Sequence, residues 1–191
     1  RAARQEYLLT SSLRDRSAQL KQLAYRDSLT NALNRRSFQE HFGDFKKIIE
    51  RIQCDEGELY LIAADIDHFK SINDNYGHPV GDTLLIEVAK KLKSNFRESD
   101  VIARVGGDEF SVILENISST ESLTRLVNKV LAEFREPFVI DNKKFTIGVS
   151  IGIAVSSSIE CSSEDIIKQA DAALYQVKNS GKGSYHLTVV N

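Results

Sequence analysis

Two periods of apolar residues alternate along the chain. From Ser37 to Ile52, Phe38, Phe42, Phe45, Ile48, Ile49 and Ile52 fall at helical spacing, and ELYLIAADI then follows Gly57 as an apolar strand. Val80 to Phe96 returns to the helical period, with Leu84, Leu85, Val88, Leu92 and Phe96 on one face and Lys90, Lys91 and Lys93 outward. VIARV and EFSVIL flank Gly106-Gly107 and read as an antiparallel hairpin whose glycines supply the positive φ of a two-residue turn. Leu123, Leu126, Val127, Val130, Leu131 and Phe134 form another helical stripe, ended by Pro137. FTIGVSIGIAV alternates large residues, Phe145 through Val155, against small ones, so its small face permits close approach of another layer. A helix over Glu164 to Lys178 and an edge strand in GSYHLTVV complete the pattern.

These elements interleave as βαββαβ. The expectation is an α+β domain with an antiparallel-rich central sheet, a palm or ferredoxin-like core, and helices on one side of it. Ahead of it, residues 1–24 contain no Gly or Pro and place Leu9, Leu13, Arg16, Leu20 and Leu23 on a heptad-like stripe. That stripe reads equally as a coiled coil, which would bring two copies of the following domain together, or as an amphipathic helix lying on its own domain. The division expected is an N-terminal helix over 1–24 and a catalytic domain over 25–191.

Composition narrows the function. A chain of 191 residues, 41% hydrophobic, supports one core with an added segment. A formal net charge of −2 gives no electrostatic footprint for duplex nucleic acid. Cys54 and Cys161 form no CxxC or Cys/His cluster, which fits reduced thiols in the cytoplasm. No run of about 18 apolar residues and no basic-then-apolar leader occurs, so membrane contact is not expected within this segment. The chain starts at Arg1 and holds no Met, as expected of a segment from a longer protein that carries the input signal.

The carboxylates carry the candidate chemistry. Asp65 and Asp67 lie at the end of the apolar strand, where an acid is costly unless a cation compensates it, and Asp108 and Glu109 lie at the hairpin tip. Taken singly, such pairs are commonly solvated turns. If the hairpin sits beside the LYLIAADI strand, the acids converge, and a hard divalent cation such as Mg²⁺ is the partner such oxygens take. One or two such ions suit phosphoryl transfer.

RVGGDEF, at Arg104 to Phe110, resembles the signature of the GGDEF family of diguanylate cyclases, which condense two GTP molecules into cyclic di-GMP. Three further blocks are similar to that family in order and spacing: DSLTNALNRRSF from Asp27, ADIDHFKSINDNYGH from Ala64 with the following Gly81-Asp82, and ADAALYQVKNSGKG from Ala170. The resemblance covers residues 25 to 187. It implies that Asp65, the carbonyl of Ile66, and Asp108 hold Mg²⁺ (or Mn²⁺), with Glu109 binding metal or assisting deprotonation of the 3′-hydroxyl. It also implies that Gly106 and Gly107 leave room for nucleotide, that Asn73 and Asp82 read guanine, and that His78 helps order the pocket. Phe69 and Lys70 are implied to meet the phosphates through backbone amides and the ammonium, with Lys178 and Lys182 balancing the triphosphate.

Departures from the family pattern are Asn31-Ala32 in the entry block and Lys182 where Arg is usual, which weakens a bidentate phosphate grip. Arg97 and Asp100 form an RxxD that matches the family's product-binding inhibitory site. The implied reaction is Mg²⁺-dependent attack of each 3′-oxygen on the other GTP's α-phosphate, across a homodimer. The other class of function is a silent module that holds GTP or cyclic di-GMP and passes a signal on.

Overall fold

The computed structural model describes residues 24–43, 47–48, 50, 58–115, 117, 119–156 and 161–190. The predicted N-terminal helix therefore lies, apart from Ala24, outside the described residues, as does most of the stretch from 44 to 57. In chain order the elements are β1 (Leu33–Asn34), α1 (Arg35–Gly43), β2 (Leu59–Ile66), α2 (Phe69–Tyr76), α3 (His78–Asn95), β3 (Val101–Arg104), β4 (Glu109–Glu115), α4 (Thr120–Arg135), β5 (Phe138–Ile140), β6 (Lys143–Phe145), β7 (Val149–Ser156), α5 (Ser163–Asn179) and β8 (Tyr185–Val189).

Six strands form one sheet in the order β1-β3-β4-β2-β7-β8, and β5 and β6 pair apart from it. β2 is central and antiparallel to both neighbours, β4 and β7, while the outer pairs β1/β3 and β7/β8 are parallel. Every residue of β2 is buried, because both faces of the sheet are covered. Tyr60, Ile62, Ala64 and Ile66 pack under Leu84, Val88 and Leu92 of α3 and Val127, Val130 and Phe134 of α4. Leu59, Leu61 and Ala63 pack on the other side under Phe38 and Phe42 of α1 and Ile166, Ala170 and Leu174 of α5. Helices thus lie on both faces, not one as expected, and an uninterrupted apolar strand is the mark of that arrangement.

The small face of β7 does receive a close neighbour. A Cβ on Gly152 would overlap the Ala170 carbonyl and the Leu174 amide of α5. The expected single strand over FTIGVSIGIAV is instead two: Phe145 ends β6 in the outlying hairpin, and β7 begins at Val149 beside β2. Its alternation runs through the change of partner, so the pattern does not mark the break.

α2 was not expected, since FKSINDNY is short and mostly polar. It is entered through His68 at φ 60, and α3 starts at once behind Gly77 at φ 85, with Pro79 in the first turn, where its missing N–H costs nothing. α4 is capped by the Ser119 side chain, and α5 by a reciprocal Ser162–Asp165 capping box.

Candidate active site

The pairing of β2 with β4 puts Asp65 directly opposite Glu109. One residue on, the Ile66 amide donates to the Asp108 carbonyl at 3.2 Å, so the acidic tip is zipped onto the end of the central strand. From α5, Lys178 Nζ reaches to 2.7 Å from Asp65 Oδ2. Burial pushes the Asp65 carboxyl above its ordinary value; Lys178 opposes this, and the negative charges of Asp108 and Asp67 add to it. Asp65, Asp108, Glu109 and Lys178 are therefore brought to one place.

The hairpin tip is not the two-glycine turn expected. Neither Gly106 nor Gly107 has positive φ, and four residues, Val105 to Asp108, separate β3 from β4. The Val105 amide closes the turn onto the Glu109 carbonyl at 3.0 Å. Arg104 holds the turn's far side, donating from Nε and Nη2 to the Gly107 carbonyl at 3.1 and 2.7 Å. Gly106 is needed for space: a Cβ there would overlap the Glu109 carboxylate. Around Gly107 nothing lies within 4 Å of the place a Cβ would take, so that side stands open.

Arg104 also pairs through Nη1 with Asp27 Oδ1 at 3.0 Å. Asp27 accepts in addition from the Thr30 amide at 2.9 Å and hydroxyl at 2.7 Å. The entry block is thus tied to the acidic turn, a role that no local pattern announces. Asp171 is a second missed residue. It shares a cleft of about 240 Å³ with Glu109, Ser111, Tyr175 and Lys178, and burial, then the Glu109 charge, raise its carboxyl against the pull of Lys178.

On the opposite face of the sheet, Phe69 is buried and Lys70 exposed at the start of α2. Asn73 packs on Gly81 so tightly that a Cβ on Gly81 would overlap Asn73 Oδ1. That oxygen is buried and has no hydrogen-bond partner, an orphan acceptor of the kind a bound donor would satisfy. Asp82 and His78 are exposed at the start of α3. Arg97 and Asp100 lie past the other end of this eighteen-residue helix, so they belong to a separate place on the molecule. They form a closed turn, with Asp100 Oδ2 accepting from the Arg97 amide at 2.7 Å. Lys182 sits at φ 63 in the turn after α5.

Among the described residues no three His, Cys, Asp or Glu side chains gather into a metal site of their own. Two carboxylates and a backbone carbonyl on adjacent strand ends do fit Mg²⁺, which keeps waters and substrate phosphates as its other ligands. No helix among the described residues is long and apolar enough to cross a membrane.

Acids at the ends of adjacent strands of a palm-like α+β sheet are the setting of the site, and the comparisons give the family. The family model described as diguanylate cyclase, GGDEF domain, matches residues 24–184, and the chain belongs to that family. It is 35% identical over 178 residues to MucR of Pseudomonas aeruginosa, a bifunctional diguanylate cyclase/cyclic di-GMP phosphodiesterase, covering 93% of this chain and 25% of MucR. It is 33% identical over 180 residues to the diguanylate cyclase TpbB of Pseudomonas aeruginosa, covering 94% of this chain and 41% of TpbB. The chain spans less than half the length of these relatives. The crystal structure of the coiled coil and GGDEF domain of DgcB from Caulobacter crescentus, in complex with c-di-GMP, superposes with a TM-score of 0.82 at 25% identity, over 97% of this chain and 95% of that one.

Proposed function

We propose that this domain is a diguanylate cyclase that joins two GTP molecules into cyclic di-GMP with release of two pyrophosphates. The observation that carries the reading is the convergence of Asp65, Glu109 and Lys178 where β2 meets β4. Asp65, the Ile66 carbonyl, Asp108 and Glu109 would hold Mg²⁺, or Mn²⁺ in its place. When bound, the ion supplies positive charge to the phosphate oxygens. Phe69, Lys70, Lys178 and Lys182 receive the triphosphate. Asn73 offers its orphan Oδ1, and with Asp82 it accepts from the donor edge of guanine, which adenine lacks. His78 would help order the guanine site, and Gly106 and Gly107 would let the nucleotide approach.

Glu109 takes the proton of the 3′-hydroxyl. The oxygen bonds to the α-phosphorus of a second GTP as the bond from that phosphorus to its bridging oxygen breaks and pyrophosphate leaves. A second round closes the ring. Because each domain holds one GTP, two must face each other, and catalysis belongs to the homodimer. Read as a coiled coil, the stripe over 1–24 would raise the local concentration of the pair ahead of the catalytic domain over 25–191. The product binds back at Arg97 and Asp100 and inhibits. The reaction runs in the cytoplasm, where its substrate is found.

Incubation with GTP and Mg²⁺ followed by chromatography tests this. Cyclic di-GMP should form with the parent and not with Asp108→Ala or Glu109→Ala. GTP binding without turnover in the parent would make the domain a silent module instead.

A further inference from the structure

Asp67 is a buried acid that the reaction above does not use. It is 5% exposed. Its Oδ1 accepts from the Ser150 hydroxyl on β7 at 2.6 Å, and its Oδ2 accepts from the Gly183 amide at 3.1 Å. Its own amide donates to the Gly148 carbonyl at 2.9 Å, and a Cβ on Gly148 would come within 2.6 Å of Oδ2. The carboxylate is thus walled in by β7 and by the turn that follows α5.

That turn needs an anchor. Gly181, Lys182 and Gly183 stand in succession at φ 115, 63 and 60, a left-handed run that a lysine does not adopt unaided. From the helix side the Lys182 amide donates to the Val177 carbonyl at 3.1 Å. From the sheet side the tie is Gly183 to Asp67. Lys182 is therefore fixed between the end of α5 and the residue two places past Asp65. A carboxylate oxygen makes a stronger hydrogen bond to an amide than a neutral acceptor does.

We propose that Asp67 is the positioning residue for the phosphate-binding turn: its carboxylate holds Gly183 so that the Lys182 ammonium is preset, relative to Asp65, for the triphosphate. This rests on the reading that Lys182 receives phosphate. One short stretch, Asp65 to Asp67, would then set both the acids and, through the turn, a cation.

The test uses the full chain and inorganic tripolyphosphate as probe. Asp67→Asn retains a partner for Ser150 but turns an amide nitrogen or a weaker neutral acceptor toward Gly183. Tripolyphosphate should bind about fivefold more weakly and the KM for GTP should rise by a similar factor, with kcat changed less than about twofold. Hydrogen exchange at the Gly183 amide should quicken in Asp67→Asn, and not in Lys182→Ala. Combined with Lys182→Ala, the two losses of tripolyphosphate affinity should fail to multiply. Ser150→Ala, which removes one support of the carboxylate, should quicken Gly183 exchange too and keeps the test decisive if Asp67→Asn does not fold. Multiplying losses, or unchanged Gly183 exchange in both variants, would overturn the positioning role. Unchanged tripolyphosphate binding in Lys182→Ala would instead sink the phosphate reading on which it rests.

Discussion

Lys178 Nζ stands 2.7 Å from Asp65 Oδ2, with side-chain exposures of 34% and 12%. The protein's own cation therefore occupies one oxygen of the acid assigned to a divalent ion. A metal that arrives alone must displace it, whereas nucleotide phosphates give the ammonium somewhere else to go. Lys178→Ala should therefore shift two affinities in opposite directions. Mn²⁺ alone should bind about fivefold more tightly, a gain near 1 kcal/mol, typical of a partly exposed ion pair. A non-hydrolysable GTP analogue with metal should bind more weakly. Titrations of Mn²⁺ with and without the analogue read both, and weaker binding of Mn²⁺ alone would show that Lys178 does not compete.

The two signature glycines should separate cleanly. Gly106 has the Glu109 carboxylate against it, while nothing lies within 4 Å of a Cβ on Gly107. Gly106→Ala must push Glu109 aside and should cost tenfold or more in kcat, roughly the contribution of a displaced acid–base group. Gly107→Ala fits the free protein, so its thermal midpoint should match the parent. If nucleotide uses that open side, affinity for the GTP analogue should nonetheless fall. Equal analogue binding in Gly107→Ala and parent would show that the space is solvent only.

How much of this was legible in sequence depends on separation along the chain. The apolar run of β2 and the stripes of α3, α4 and α5 announce themselves through period, and the acids of the site through the strand and hairpin that carry them. α2 was hidden because only Phe69, with Ile72 partly buried beside it, marks its inner side, too little for a stripe. The hairpin turn was misjudged because consecutive glycines suggest positive φ, whereas here the Arg104 clamp shapes the turn and Gly106 supplies space. Asp67 meets Ser150 and Gly183 across 83 and 116 positions, and Asp27 meets Arg104 across 77. No local rule reaches that far, and only the sheet order brings them together.

Gly152 offers a stability test away from the chemistry. It is the point where α5 comes down on β7, and a Cβ there would overlap the backbone of Ala170 and Leu174. Backbone atoms cannot swing aside as a side chain can, so helix and sheet must part. Gly152→Ala should lower unfolding free energy by about 3 kcal/mol, the upper range for an overpacked core. Because α5 carries Lys178, activity should fall with it. Urea unfolding checks the first, and a loss under about 0.5 kcal/mol would mean that the layers are not in such close contact.

The Asp27–Arg104 pair makes stability depend on pH with a defined sign. Their side chains are 23% and 14% exposed. Burial acts to raise the Asp27 carboxyl, but hydrogen bonds from Thr30 and from Arg104 outweigh it and hold the pKa below the usual 3.8. A depressed carboxylate binds its proton less tightly folded than unfolded, so its stabilisation is full above the unfolded value and fades as pH falls through the folded one. Asp27→Asn should therefore be less stable than the parent at pH 7, and the two urea midpoints should converge only once pH has fallen below the usual carboxylate range, through the depressed Asp27 value. Arg104→Ala should lose about 1–2 kcal/mol at pH 7 through the same pair. It should also lose activity, since the Gly107 carbonyl gives up both donors. Arg104→Lys should not restore it, because one ammonium cannot replace a planar fork that serves Asp27 and Gly107 together. Parallel midpoints for parent and Asp27→Asn across the whole pH range would remove Asp27 from this account.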